Sequence, residues 1–103
     1  MINVTLICNL GMSTSMLVDK MVKYGKEHNL DVDVDALPFD RLGDRINHTD
    51  VLLLGPQIRH LLKQFQANYT DRIPVIDVID MQDYALLRVD KIFEKSIAKL
   101  SSN

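Results

Sequence analysis

The chain predicts an α/β fold: an open four-stranded parallel sheet, strand order 2-1-3-4, with helices on both faces. Three observations predict it. Short strand-like runs alternate with helix-patterned stretches four times along 103 residues, the β-α order that a parallel sheet with right-handed crossovers requires. The first run, INVTLI at 2–7, and the third, DVLLL at 50–54, are β-branched or apolar on both faces, which suits strands covered on each side. The second run, DVDVDA at 31–36, alternates strictly, as an edge strand with one wet face does. If strand 2–7 is central, strand order reverses between the first and third strands. Ligands in such sheets sit beyond the C-terminal strand ends at that switch point, so the loops after Ile7 and Leu54 carry most interest.

The elements follow in order. From Ser13 to about Asn29, Met16, Leu17, Met21 and Tyr24 recur at helical spacing, with lysines toward the C-terminal end, where the helix dipole favours them. The aspartates of 31–36 then discourage pairing at the sheet edge. Pro38 breaks the chain, and 40–47 is a short, weak helix containing Gly43. Gly55-Pro56 stops the strand at 50–54. Ile58, Leu61, Leu62 and Phe65 predict a helix over 57–68. IPVIDV at 73–78 is the fourth strand, with Pro74 near its start, where a missing N–H is tolerated. Leu86, Val89, Ile92, Phe93, Ile97 and Leu100 form one stripe and predict a single helix over 83–100. No repeat, linker or low-complexity segment interrupts the chain, so 1–103 is read as one domain and, with its ragged SSN end, as a separate chain and a monomer.

Composition excludes several function classes. Twelve basic and fourteen acidic residues give a net charge of −2, which offers no basic face for nucleic acid. No polybasic amphipathic stretch points to a membrane surface, and no apolar run approaches the roughly 18 residues of a membrane span. The N-terminal apolar run is short and lacks a charged lead, so it is a strand rather than a secretion signal. One cysteine rules out an internal disulfide and fits a reducing compartment. A cytoplasmic protein is expected, free to dock on a membrane-bound partner.

That cysteine, Cys8, directly follows the first strand and precedes Asn9-Leu10-Gly11-Met12-Ser13-Thr14-Ser15. Such a loop can turn successive backbone N–H groups inward, and the helix behind it adds unpaired N–H groups and a partial positive charge. The result is an anion cradle without lysine or arginine. A thiolate there is stabilised and its pKa depressed. Gly11 permits a positive φ and close approach. Ser13, Thr14 and Ser15 offer hydroxyls to sulfur or to phosphoryl oxygen, and one of them caps the helix. The competing reading is that Cys8 is a small buried hydrophobe, the commoner fate of a lone cysteine; its position before a Gly/Ser/Thr loop and a helix favours the reactive reading.

Low-molecular-weight tyrosine phosphatases carry a cysteine, five residues, an arginine, then Ser or Thr. Here five residues separate Cys8 from Thr14, and the arginine that would clamp a phosphoryl group bidentately is missing. Hydrolysis also needs a general acid; Asp77, Asp80 and Asp83 lie near the end of the fourth strand, with nothing to single one out. The loop is suited to holding phosphate on sulfur and passing it on.

The chain resembles the enzyme IIB component of the bacterial phosphoenolpyruvate-dependent sugar phosphotransferase system, in its lactose/cellobiose/chitobiose class. The resemblance covers essentially the whole chain. It rests on CNLGMSTS (8–15), on DVLLLGPQI (50–58) and, more weakly, on IPVIDVID (73–80) leading to Tyr84. It implies a phosphotransferase in which Cys8 accepts a phosphoryl group from the phosphohistidine of a IIA partner. Cys8 then passes it to a sugar, expected to be a β-linked disaccharide, bound by the membrane IIC component. Catalysis would be mostly positioning and electrostatics. Asn9, Leu10, Gly11, Met12, Ser13, Thr14 and Ser15 match the phosphate loop; Asn9 is larger than the small residue expected there. The resemblance implies no cofactor and no metal.

The remaining candidates weigh less. Pro56 and Gln57 belong to a strand-to-helix turn beside the cysteine loop, and Gln57 could bond the loop or a partner. Met12 and Met16 are expected in the core more than in contacts, with Met12 the better docking candidate. His28, His48 and His60 have neither a glycine-rich loop nor metal-ligand spacing. Asp31, Asp33 and Asp35 read as a solvated face. Tyr84 reads as packing or a helix-start contact. Two alternatives stay open: a phosphatase-like or arsenate-reductase-like enzyme, the latter disfavoured by the absence of a resolving cysteine, and a non-catalytic cysteine redox sensor.

Overall fold

The computed structural model describes residues 1–7 and 11–102, and the side chains of all of these except 11–14, 39 and 44. Strands β1 (Ile2–Ile7), β2 (Val32–Leu37), β3 (Val51–Leu54) and β4 (Val75–Val78) form one sheet in the order β2-β1-β3-β4. All three pairings are parallel, and the register lines up Leu37, Ile7, Leu54 and Val78 at the C-terminal edge. This is the predicted topology, with β1 central.

Period-2 alternation along the strands divides the core in two. Val4 and Leu6 of β1, Val34 of β2, and Val51 and Leu53 of β3 meet Leu17, Met21, Ile92 and Phe93 on one face. Those last four come from α1 (Gly11–Glu27) and α4 (Val89–Ser101). Ile7, Leu52 and Leu54 point to the other face, against Leu42, Ile46, Ile58 and Phe65. Leu52 and Leu54 are completely buried, worth about 2 kcal/mol each relative to exposure. A run apolar on both faces is therefore used on both faces. Thr5, fully buried in β1, is satisfied by the Thr49 hydroxyl at 2.8 Å, which donates to the Arg45 carbonyl at 2.7 Å.

The helices depart from expectation in four places. α1 begins at Gly11, two residues ahead of the predicted start, and ends at Glu27. The weak helix over 40–47 is two short 3-10 turns, Phe39–Asp44 and Ile46–His48. The helix over 57–68 starts as a 3-10 helix, Pro56–Leu61, becoming α2 (Leu62–Tyr69) past a kink at Ile58 (φ −117°, ψ 25°). The largest departure is the stripe over 83–100. It is two helices, α3 (Met81–Ala85) and α4, separated by Leu87 at φ 53°. Val89, Ile92, Phe93, Ile97 and Leu100 keep their core facing beyond the turn, whereas Leu86, expected in the same stripe, caps α3 and is 60% exposed.

Gly25 has a packing reason. A Cβ there would lie 2.8 Å from Val32 Cγ2, so its absence lets α1 lie close against β2. At the sheet edge, Arg45 reaches over β2 to Asp35 Oδ2 at 3.0 Å and Asp33 Oδ2 at 3.7 Å. The aspartate row expected to be merely solvated is thus bridged by an arginine from the turns after it. No described helix is long and apolar enough to cross a membrane.

Candidate functional site

The backbone joins the two loops selected by the topology. The Gly55 N–H, one residue past β3, donates to the Ile7 carbonyl at 2.9 Å, and the Ile79 N–H, one residue past β4, donates to the Leu54 carbonyl at 2.9 Å. The ends of β1, β3 and β4 are thereby stitched together beyond the regular ladder. Gly55 is extended (φ −61°, ψ 149°) and buried. Pro56, also buried, opens the 3-10 helix, where its missing N–H costs nothing. The opposite edge is closed differently: Asp50 Oδ2 accepts from the Asn3 N–H at 2.8 Å, and the Met1 amino group lies 3.3 Å from Asp31.

Cys8 is the next residue after Ile7. Cys8, Asn9 and Leu10 lie outside the described residues, as do the side chains of Gly11, Met12, Ser13 and Thr14. The backbone of Gly11–Ser15 forms the first turn of α1, where up to four N–H groups lack intrahelical partners. Gly11 opens that helix, two residues ahead of the start expected at Ser13. Ser15 is exposed and has an interaction partner. Met16 is 58% exposed, which corrects its expected core position. It precedes Leu17 by one residue, a rotation of about 100°, and Leu17 with Met21 defines the buried stripe.

The other candidates separate by surroundings. Gln57 is exposed on the turn after β3. Tyr84 sits in α3, half-buried against the core beneath α1 and α4, which is the packing reading. His28, His48 and His60 are all exposed; the His28 ring lies 4.0 Å from that of Tyr24. Among the described residues no cluster of His, Asp and Glu could hold a metal ion. All three acids considered for a phosphatase are engaged. Asp77 pairs with Lys99 and accepts the Val78 N–H at 2.8 Å. Asp80 caps α3, accepting from Gln82 at 2.9 Å and Asp83 at 3.2 Å. Asp83, only 5% exposed, lies between Lys95 (3.2 Å) and Arg88 (4.0 Å).

A cleft of about 440 Å³ opens at this edge between the turns that follow β3 and β4. It is lined by Pro56, Arg59, Asp77, Asp80, Met81 and Lys95, among others. Met81 is 57% exposed. A second depression of about 210 Å³, beside Gln66 and Lys99, reaches Ile73 and Pro74 at the opposite end of β4 and is unrelated to the cysteine strand. Reading the sequence for loops at strand ends selected the first turn of α1 and Gly55-Pro56, which the structure places at the same sheet edge. It did not single out Arg59, which carries no motif and lines the cleft from the turn after β3.

The family model for "PTS system, Lactose/Cellobiose specific IIB subunit" matches residues 3–95. The chain belongs to this IIB family. It is a component of the sugar phosphotransferase system and one of its phosphotransferase enzymes. The oligo-beta-mannoside-specific EIIB component of Bacillus subtilis (strain 168) is 30% identical over 95 residues, 92% of each chain. The galactose-specific EIIB component of Lactococcus lactis subsp. cremoris (strain MG1363) is 36% identical over 94 residues, 86% of this chain and 87% of that one. The solution structure of the cellobiose-specific IIB protein of Borrelia burgdorferi superposes with a TM-score of 0.80 at 32% identity, covering 98% of this chain and 93% of that one. The lactose-specific IIB domain of Streptococcus pneumoniae, 14% identical over 92% of this chain and 96% of its own, shares the fold with a TM-score of 0.78.

Proposed function

We propose that Cys8 is the phosphoryl carrier of this IIB chain. The phosphohistidine of a IIA partner, protonated on its other ring nitrogen, donates: the P–N bond breaks as an S–P bond to the Cys8 thiolate forms, leaving neutral imidazole. In the second step the S–P bond breaks as a P–O bond to a sugar hydroxyl forms in the membrane IIC component. The sugar proton goes to a base there, and the Cys8 thiolate is regenerated. The observation that supports this reading is the bond from Gly55 N–H to Ile7 O. It sets the turn after β3 beside the strand that leads into Cys8, at the sheet edge where α/β folds bind ligands.

The residues after Cys8 would hold the phosphoryl group in both directions. Backbone N–H groups from Asn9 through Ser15 supply the donors, and the start of α1 favours negative charge. The hydroxyls of Ser13, Thr14 and Ser15 supply further donors. No arginine is present in 8–15, so the group is held without the clamp that would drive its loss to water. Pro56 keeps the neighbouring turn stiff, and Gln57 contacts the partner. No cofactor or metal is required. The whole of 1–103 acts as one IIB domain in the cytoplasm, docking transiently on the inner face of the membrane. The acceptor is a β-linked disaccharide; the relatives are named for cellobiose, galactose and oligo-beta-mannoside.

The test is reconstitution with phosphoenolpyruvate, enzyme I, the histidine-containing carrier and a cognate IIA. Intact-mass analysis is expected to show one phosphoryl group on the wild-type chain and none on Cys8→Ser. A persistent adduct in Cys8→Ser, or no adduct on the wild type with any matching IIA, defeats the proposal.

A further inference from the structure

The cleft beside the turn after β3 holds a cation that nothing described above uses. Its two cationic side chains are Arg59 and Lys95. Lys95 Nζ is committed to Asp83 Oδ2 at 3.2 Å. On the anionic side, Asp77 is paired with Lys99, and Asp80 spends its carboxylate on the backbone of α3. The Arg59 side chain is exposed and makes no hydrogen bond or ion pair among the described residues; its carbonyl accepts from the Leu62 N–H.

Its mounting is tied to the core. Pro56 and Arg59 both line the cleft, on either side of Ile58, whose φ −117° and ψ 25° are not helical. Pro56 has a fixed φ, Gly55 is tied to β1 through Ile7, and Ile58 is buried in the core. A guanidinium with no partner among the described residues thus stands on a turn whose first residue is hydrogen-bonded to the cysteine strand.

The chemistry of the transfer gives that charge a use. A phosphohistidine approaches as an anion, and its target is a thiolate. The loop 9–15 contains no lysine or arginine, so its amides and hydroxyls can orient the phosphoryl group but carry no net charge to draw it in. A fixed cation at the rim steers an anionic partner over longer range than hydrogen bonds can. The sugar acceptor is uncharged and offers nothing for this cation to recognise, so charge complementarity selects the donor.

We propose that Arg59 is a positioning residue for the phosphorylated IIA donor, drawing the phosphohistidine-bearing face onto the ends of β1 and β3. The proposal rests on the Cys8 reading. It assigns Arg59 to the encounter and not to the cradle that holds phosphate on sulfur.

The experiment measures the second-order rate of phosphoryl transfer from phospho-IIA to wild type, Arg59→Gln and Arg59→Lys at low salt and at about 0.5 M salt, where screening is nearly complete beyond a few ångströms. Arg59→Gln is expected to be about tenfold slower at low salt, with the difference mostly lost at high salt. Arg59→Lys is expected to recover most of the rate, because steering needs charge and not a bidentate fork. The pH profile of Cys8 alkylation, the lifetime of the phosphorylated chain and the melting temperature should match wild type in both variants. Wild-type transfer by Arg59→Gln at low salt overturns the proposal. So does a slower rate that salt does not restore, or a shifted alkylation profile, which would put Arg59 in the cradle. A wild-type chain that accepts no phosphoryl group overturns the Cys8 reading first; normal charging of wild type and Arg59→Gln alike overturns the Arg59 proposal alone.

Discussion

Two helices of this protein end in the same backbone motif, and they satisfy it by different means. At the end of α1, the Leu30 N–H donates to the Gly25 carbonyl at 2.8 Å and Asn29 sits at φ 55°. At the end of α3, the Arg88 N–H donates to the Asp83 carbonyl at 2.8 Å, the Leu87 N–H to the Tyr84 carbonyl at 3.3 Å, and Leu87 sits at φ 53°. Both are Schellman caps with a left-handed residue. Asparagine enters that conformation readily, but leucine gives up roughly 1–2 kcal/mol to do so. The surroundings of α3 explain why the leucine is held. Its side chain packs against the core beneath α1 and α4, Asp80 caps the start of α3, and Asp83 lies buried against Lys95 and Arg88. One helix end is specified by its own residues, the other by what it packs against. The second adjoins the cleft, where Asp80 and Met81 form one wall.

Substitutions can break or sharpen this contrast. The largest effect is expected from Asp83→Ala, which removes the buried carboxylate that anchors α3. Its partners are half-exposed, so the cost should be about 2 kcal/mol, below that of a fully buried pair. Urea unfolding measures it, and a loss no larger than that of a surface carboxylate would show that packing alone holds α3. Next is Leu87→Ala, which removes half-buried apolar surface while keeping the strained conformation, for a loss of about 1–2 kcal/mol. Leu87→Gly should be the more stable of the two by about 1 kcal/mol, although it removes more side chain. The reverse order would mean that the left-handed turn is not what separates α3 from α4. At the other cap, Asn29→Ala should cost about 1 kcal/mol and Asn29→Gly should gain a few tenths. Equal responses at positions 29 and 87 to every substitution would erase the distinction.

Much of the fold was readable because sheet patterns are local. INVTLI and DVLLL announced central strands, and DVDVDA an edge, through facts about adjacent residues that survive folding. The end of the last strand was less so. Leu86, Val89, Ile92 and Phe93 fit one helical stripe, but the break at Leu87 has no glycine or proline to announce it, and a leucine ordinarily argues for continuing a helix. Met16 was misread because one residue separates the edge of a stripe from its centre. At the candidate site, motif and position selected the Cys8 loop and Gly55-Pro56, and the structure places Gly55-Pro56 beside the end of β1. Arg59 was not singled out, since a lone arginine after a turn has no sequence signature and its place in the cleft depends on how that turn folds.

By itself, the sequence determined the α/β class, the strand order, the central place of β1, the position of Cys8 after it and the absence of a cation from residues 9–15. These follow from residue types at short separation, where steric preference and burial periodicity act directly. The tertiary structure alone decided that Gly55 bonds to Ile7, that Asp77, Asp80 and Asp83 are all spoken for, that Leu87 turns left-handed between two helices, and that the Arg59 side chain enters the cleft without a described partner. Each depends on groups distant in the chain meeting across packed strands, where the contacts of the assembled core outweigh what any one segment prefers.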